Sequence, residues 1–114
     1  MEFKTNFEKG TFYLGALLGY YLEKGERKGW YFKLMSQKVG KLSPDHIKAI
    51  FPRLYYALLD EGLDTEPARR VFAQASEYFA RSSEEDERQS EMIAFALGLG
   101  QGLWEKVFRG EEIV

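Results

Sequence analysis

Eight basic residues in the first half of the chain form the set whose type and spacing could do chemistry: Lys24, Arg27, Lys28, Lys33, Lys38, Lys41, Lys48 and Arg53. Only Glu26 and Asp45 interrupt them. A track of lysines and arginines binds a nucleic-acid backbone without reading bases, and each phosphate it neutralises steepens the salt dependence. Trp30 and Tyr31 follow directly on the Lys24/Arg27/Lys28 run. An aromatic beside cations can stack a base, but such a pair more often anchors a core while lysine stems snorkel over it.

Other chemistries find little to work with. His46 is the only histidine, on the first turn of an expected helix without a cysteine, second histidine or nucleophile motif to work with, and it reads as a surface or capping residue. The chain has no cysteine, which excludes a disulfide framework, a thiolate zinc site and a cysteine nucleophile. Glu84, Glu85, Asp86, Glu87 and Glu91 neither alternate around a glycine turn, as a calcium loop requires, nor form Glu-x-x-His pairs. They suit the solvated start of a helix, where the dipole favours anions. Gly25-x-x-x-Gly29 and Gly98-x-Gly-x-Gly102 lack the Lys-Ser/Thr and the preceding strand of a phosphate loop. The expectation is a protein that is not an enzyme and carries no cofactor or metal.

The elements that must position the basic set are helices. Thr5 and Glu8 have the spacing of a capping box that opens a first helix, and Gly25 and Gly29 punctuate its end. Trp30 to Val39 reads as a short second helix stopped by Gly40. Ser43-Pro44-Asp45 starts a third, which sets Ile47, Ile50, Phe51, Leu54, Tyr55, Leu58 and Leu59 on one stripe before Gly62. Pro52 inside it removes one hydrogen bond and predicts a kink near residues 48 to 51. Thr65-Glu66-Pro67 starts a fourth helix, running to about Arg81 with Ala68, Val71, Phe72, Ala75, Tyr78 and Phe79 inward. A fifth spans Ser83 to Arg109. In it Ala94, Gly98 and Gly102 fall at i, i+4 and i+8 on a single face. Gly15 and Gly19 repeat that spacing in the first helix, so the two helices are expected to pack glycine face to glycine face.

The prediction is therefore an all-α fold, a single compact bundle of about five helices in one domain over residues 1–114, with 1–5 and 110–114 frayed. The apolar middles of the two glycine-bearing stretches, about 11 and 13 residues, fall short of the roughly 20 that span a bilayer. Without a basic leader and apolar h-region at its start, the chain is expected in the cytoplasm and away from membranes. Its net charge of −2 hides an asymmetry: residues 1–57 hold ten Lys/Arg against five Asp/Glu, and residues 58–114 hold six against thirteen. Such a domain can turn one face to a polyanion and the other to a basic protein.

Three phrases, FYLGALLGYYLEKGE from Phe12, IFPRLYYALL from Ile50 and QSEMIAFALGLGQGLW from Gln89, carry a resemblance. Over roughly residues 10–108 the chain resembles the C-terminal helical region of the large subunits of type I CRISPR effector complexes (Cascade). In several subtypes that region is also made from an internal start codon as the complex's small subunit, and a chain entering a helix soon after Met1 suits such a product. The resemblance implies a non-enzymatic helical bundle that stacks in more than one copy beside the guide-bearing backbone subunits and the large subunit. Its partners would be those subunits, copies of itself, guide RNA and target DNA. Its basic residues would steady the target DNA, the displaced strand above all. The alternative expectation is a helical protein–protein adaptor or dimerisation module with no nucleic-acid role, its glycine faces serving a partner helix.

Overall fold

A computed structural model describes residues 3–37 and 41–111 of the protein. Seven helices follow one another without a strand among the described residues: α1 (Asn6–Lys24), α2 (Gly29–Ser36), α3 (Pro44–Asp60), α4 (Glu66–Arg81), α5 (Glu84–Gln89), α6 (Ile93–Gly102) and α7 (Trp104–Phe108). Five of these are longer than two turns, so the expected all-α bundle of about five helices is the fold observed.

Helix α1 is the axis of the bundle. Its residues Phe7, Phe12, Leu14, Leu17, Leu18 and Tyr21 point to different sides and are all buried, as befits a helix that is apolar nearly all round. It packs mainly against α6 and α4, with α3 and α7 closing the remaining sides. The capping box is formed: Thr5 Oγ1 accepts the Glu8 amide at 3.1 Å, and Glu8 Oε1 accepts the Thr5 amide at 3.2 Å. Phe3 and Thr5 are buried, Phe3 against Phe12 with ring centroids 5.7 Å apart, so the expected fraying of residues 1–5 does not reach Phe3. Ser43 and Thr65 head α3 and α4 as expected, with Pro44 and Pro67 in their first turns. Helix α3 runs unbroken through Pro52, and Leu59 turns outward from a stripe in which Ile47, Ile50, Leu54 and Leu58 are buried and Phe51 and Tyr55 half-buried. Gly62, at φ +66°, makes the left-handed turn that follows α3.

Two expectations fail in the last third of the chain. The single helix over Ser83–Arg109 is three helices. Its first break, at Ser90–Met92, exists because the Glu8 carboxylate captures the amides of Glu91 and Met92 through Oε2, at 2.9 and 2.8 Å. The second failure is the glycine face. Gly15 and Gly19 do meet the last long helix, and a Cβ on Gly19 would stand 2.5 Å from the Gln101 carbonyl oxygen. The partner on α6, however, is Gly100, where a Cβ would overlap the Phe12 carbonyl and come within 2.8 Å of the Ala16 amide nitrogen. Ala94, Gly98 and Gly102 form the opposite, exposed face, and a Cβ on Gly98 or Gly102 would meet nothing within 4 Å. Ile93–Gly102 is apolar apart from Gln101, so its sequence has no polar side to show which face turns inward.

Candidate nucleic-acid interface

The basic loop is built on a buried hydroxyl. Tyr21, in the last turns of α1, holds its hydroxyl 2.7 Å from both the Arg27 carbonyl and Glu61 Oε2, and accepts the Trp30 indole N–H at 3.2 Å. Glu61, just beyond α3, also receives the Glu26 amide on Oε1 at 2.6 Å and the Arg27 amide at 3.3 Å. These bonds pin residues 25–30 to the ends of α1 and α3. The Glu26 amide, with the Tyr21 hydroxyl and Arg27 helping against partial desolvation, holds the Glu61 carboxyl below its ordinary range. Burial, aided by the Glu61 carboxylate, pushes the Tyr21 phenol up. The hub is thus a carboxylate and a neutral phenol over a wide pH range.

Around that hub the structure gathers four of the eight basic residues. Lys24 and Arg27 are exposed beside Glu26, Asp60 and Glu61. Lys28 lays its ammonium on the Leu22 carbonyl at 2.7 Å, satisfying the end of α1 as a snorkelling lysine does. Arg53 of α3 places its guanidinium 5.2 Å from the Trp30 ring centre. Trp30 is half-buried and Tyr31 buried, so both are core anchors, and the aromatics left open nearby are Phe32 and Tyr56.

The other four residues of the set separate. Lys33, on the outer side of α2, and Lys41, before α3, are exposed. Lys38 lies outside the described residues. Lys48 is at another place on the surface, bound to Glu87 at 2.5 Å with Asp45 and Glu84 nearby, and that hydrogen bond to Glu87 raises its ammonium above the ordinary lysine range. Among the described residues it is the one member of the set that an acidic side chain holds, since Lys24, Arg27, Lys28, Lys33, Lys41 and Arg53 form no ion pair there.

His46 is a capping residue. Its Nδ1 accepts the Ser43 amide at 3.2 Å and faces the Ser43 hydroxyl at 2.7 Å. Among the described residues no three His, Asp or Glu side chains are grouped to hold a metal, and no helix is long and apolar enough to cross a membrane. The residues that sequence reasoning missed are Tyr21 and Glu61. Nothing local marks them, since Glu61 reaches the loop from 35 positions away. No protein-family model, curated protein or solved structure matches this chain.

Proposed function

We propose that this chain is the non-catalytic small subunit of a type I CRISPR effector complex, a ribonucleoprotein of antiviral defence. In this reading it stacks in copies beside the backbone and large subunits and holds target DNA, the displaced strand included, through the basic side of α1–α3. The observation that carries the reading is the state of the cations. Lys24, Arg27, Lys33, Lys41 and Arg53 lie on one continuous segment with no acidic side chain bound to them among the described residues, and the Tyr21–Glu61 hub fixes the loop that presents two of them. The Glu61 carboxylate is taken up by backbone amides and a phenol. The three sequence phrases supply the family.

The test is Lys24→Glu, Arg27→Glu and Lys33→Glu together. All three side chains are exposed, and Arg27 makes its hub bonds through its backbone while its side chain adds only a nearby charge to Glu61, so the fold is expected intact and a thermal melt checks it. The assembled complex should retain target DNA less well, and the slope of log affinity against log salt should flatten by about 0.7–0.9 for each phosphate no longer neutralised. Retention and slope equal to wild type would show that these residues do not touch the DNA.

A second reading, a helical protein–protein adaptor, is favoured by one observation. The outer face of α6, with Ala94, Gly98 and Gly102, is open, and Phe95 and Met92 at its side are 45% and 38% exposed. An apolar helix face without a cover is what a partner helix takes.

A further inference from the structure

The two large apolar side chains that stand furthest into solvent among the described residues are Tyr56, 64% exposed, and Phe32, 58% exposed. Both belong to the segment that carries the unpaired cations. A lone exposed aromatic is ordinary, so its neighbours decide whether it has a use. Phe32 follows Trp30 by two residues, about 200° around α2, and Trp30 is the ring that meets Arg53 of α3, so Phe32 points away from that junction. Tyr56 does not. Arg53 and Tyr56 are three residues apart on α3 and both exposed, which makes them surface neighbours with Cβ atoms about 5–6 Å apart. The Arg53 guanidinium lies over the Trp30 ring at 5.2 Å, and no carboxylate binds it among the described residues. Its stacked face fixes the group and leaves the N–H edges for a phosphate. Tyr56 meets one other ring, Tyr55, at a steep 65° with centroids 5.8 Å apart, and among the described residues no ring or cation is stacked on it. One turn further along α3, Asp60 lies in a cleft with Lys24 and Arg27. An open aromatic face thus stands on α3 between Arg53 and the cations of the loop.

A protruding ring gains nothing from a duplex, whose bases are stacked on one another inside it. A single strand differs, because each base can turn an open π face to an aromatic side chain while its phosphate meets a cation beside that ring. We infer that Tyr56 is a base-stacking residue and that this surface takes single-stranded DNA. A phosphate sits on Arg53, and the base of the same nucleotide lies on the Tyr56 ring. The inference rests on the proposed nucleic-acid role and names the form of the target, the unpaired displaced strand in preference to the duplex. Stacking of this kind tolerates any base, so it adds affinity for a strand without choosing its sequence.

The experiment measures binding of the full chain to a labelled oligothymidylate and to a duplex of the same length, by fluorescence anisotropy over a salt series. Charge alone favours the duplex, which carries more phosphates along its axis. The expected result is the reverse, tighter binding of the single strand at equal salt. Tyr56→Ala should weaken the single strand about fivefold to a hundredfold, the range for one lost base stack, with the salt slope unchanged because no phosphate contact is lost. Tyr56→Phe, which keeps the ring, should bind as wild type does. Phe95→Ala removes an exposed ring from α6, where no member of the basic set lies, and should change nothing. Thermal melts check that each variant folds. The inference is overturned if the duplex binds as tightly as the single strand, if Tyr56→Ala matches wild type, if Phe95→Ala loses as much, or if wild type binds neither form. Its failure is separable from that of the underlying reading. If Lys24→Glu, Arg27→Glu and Lys33→Glu together weaken both forms and Tyr56→Ala weakens neither, the surface holds phosphates and the stacking is wrong; if no variant has an effect, both fall.

Discussion

The Glu8 carboxylate and the Met92 amide, 84 positions apart in sequence, lie 2.8 Å apart. The same carboxylate takes the amides of Lys4, Thr5 and Glu91, so one buried side chain caps α1 and also breaks the helix that the acidic stretch begins. Thr5 Oγ1 meets Ser90 Oγ at 2.7 Å beside it. Lys4, Thr5 and Glu8 are thereby fixed to the turn before α6, and the axial helix is set in register with its main partner.

Glu8→Ala should therefore cost far more than an ordinary cap. It strands four amide donors, two of them in the turn before α6, and the expected loss is about 3–5 kcal/mol, the range for removing one side of a buried charged interaction. Urea denaturation measures it. A loss under about 1 kcal/mol, the usual size for an exposed cap, would contradict the arrangement.

Gly98 and Gly100 are two residues apart and should respond with opposite sign. Gly98→Ala meets nothing and gains helix propensity, stabilising by about 0.5–1 kcal/mol. Gly100→Ala must push α6 off the α1 backbone at Phe12 and Ala16 and should destabilise by about 2 kcal/mol or more. Thermal melts of both variants decide it, and equal signs would refute the packing.

The charge hub predicts a titration. With its folded value lowered, Glu61 contributes stability that is present above the ordinary carboxylate value of 4.5 and is lost as pH falls through the folded value. The amide signals of Glu26 and Arg27 should follow that step with a midpoint below 4.5, and the step should vanish in Glu61→Gln. Tyr21 has the opposite sense. With its folded value raised, its contribution to stability is present below the ordinary phenol value of 10.0 and is lost as pH rises from there through the folded value. A Glu61 midpoint at or above 4.5 would show that the hub does not form.

Gly98→Leu probes the outer face of α6 without touching the core. The monomer should fold, and a concentration series in sedimentation then reports only on partners. If wild type associates and the variant does not, the face is a seam between copies. If both associate alike, self-association uses another surface.

The local signals were legible in the sequence because they are local. Thr5/Glu8, Ser43-Pro44 and Thr65-Pro67 each carry a helix start within four residues, and the starts appear where expected. The breaks in the last helix were not legible: the first is made by Glu8, far away in the chain. The choice between Gly98 and Gly100 was equally hidden. Spacing shows that small residues share a face, but α6 has too few polar residues to show which face is inside. For the basic set, clustering in sequence was enough to expect Lys24, Arg27 and Lys28 side by side, and the structure places them around one loop. It could not show that Glu87 takes Lys48 or that Glu61 organises the loop, since both acids come from other elements.

Whether the chain works inside a guide-RNA complex is decided by affinity purification of the tagged protein from its native host at low salt, with extraction and sizing of nucleic acid. Discrete short RNAs, several copies of a repeated backbone protein, a large subunit, and release of bound DNA as salt rises are the expected result. A preparation free of nucleic acid at low salt, holding one protein partner, would contradict it and leave the adaptor.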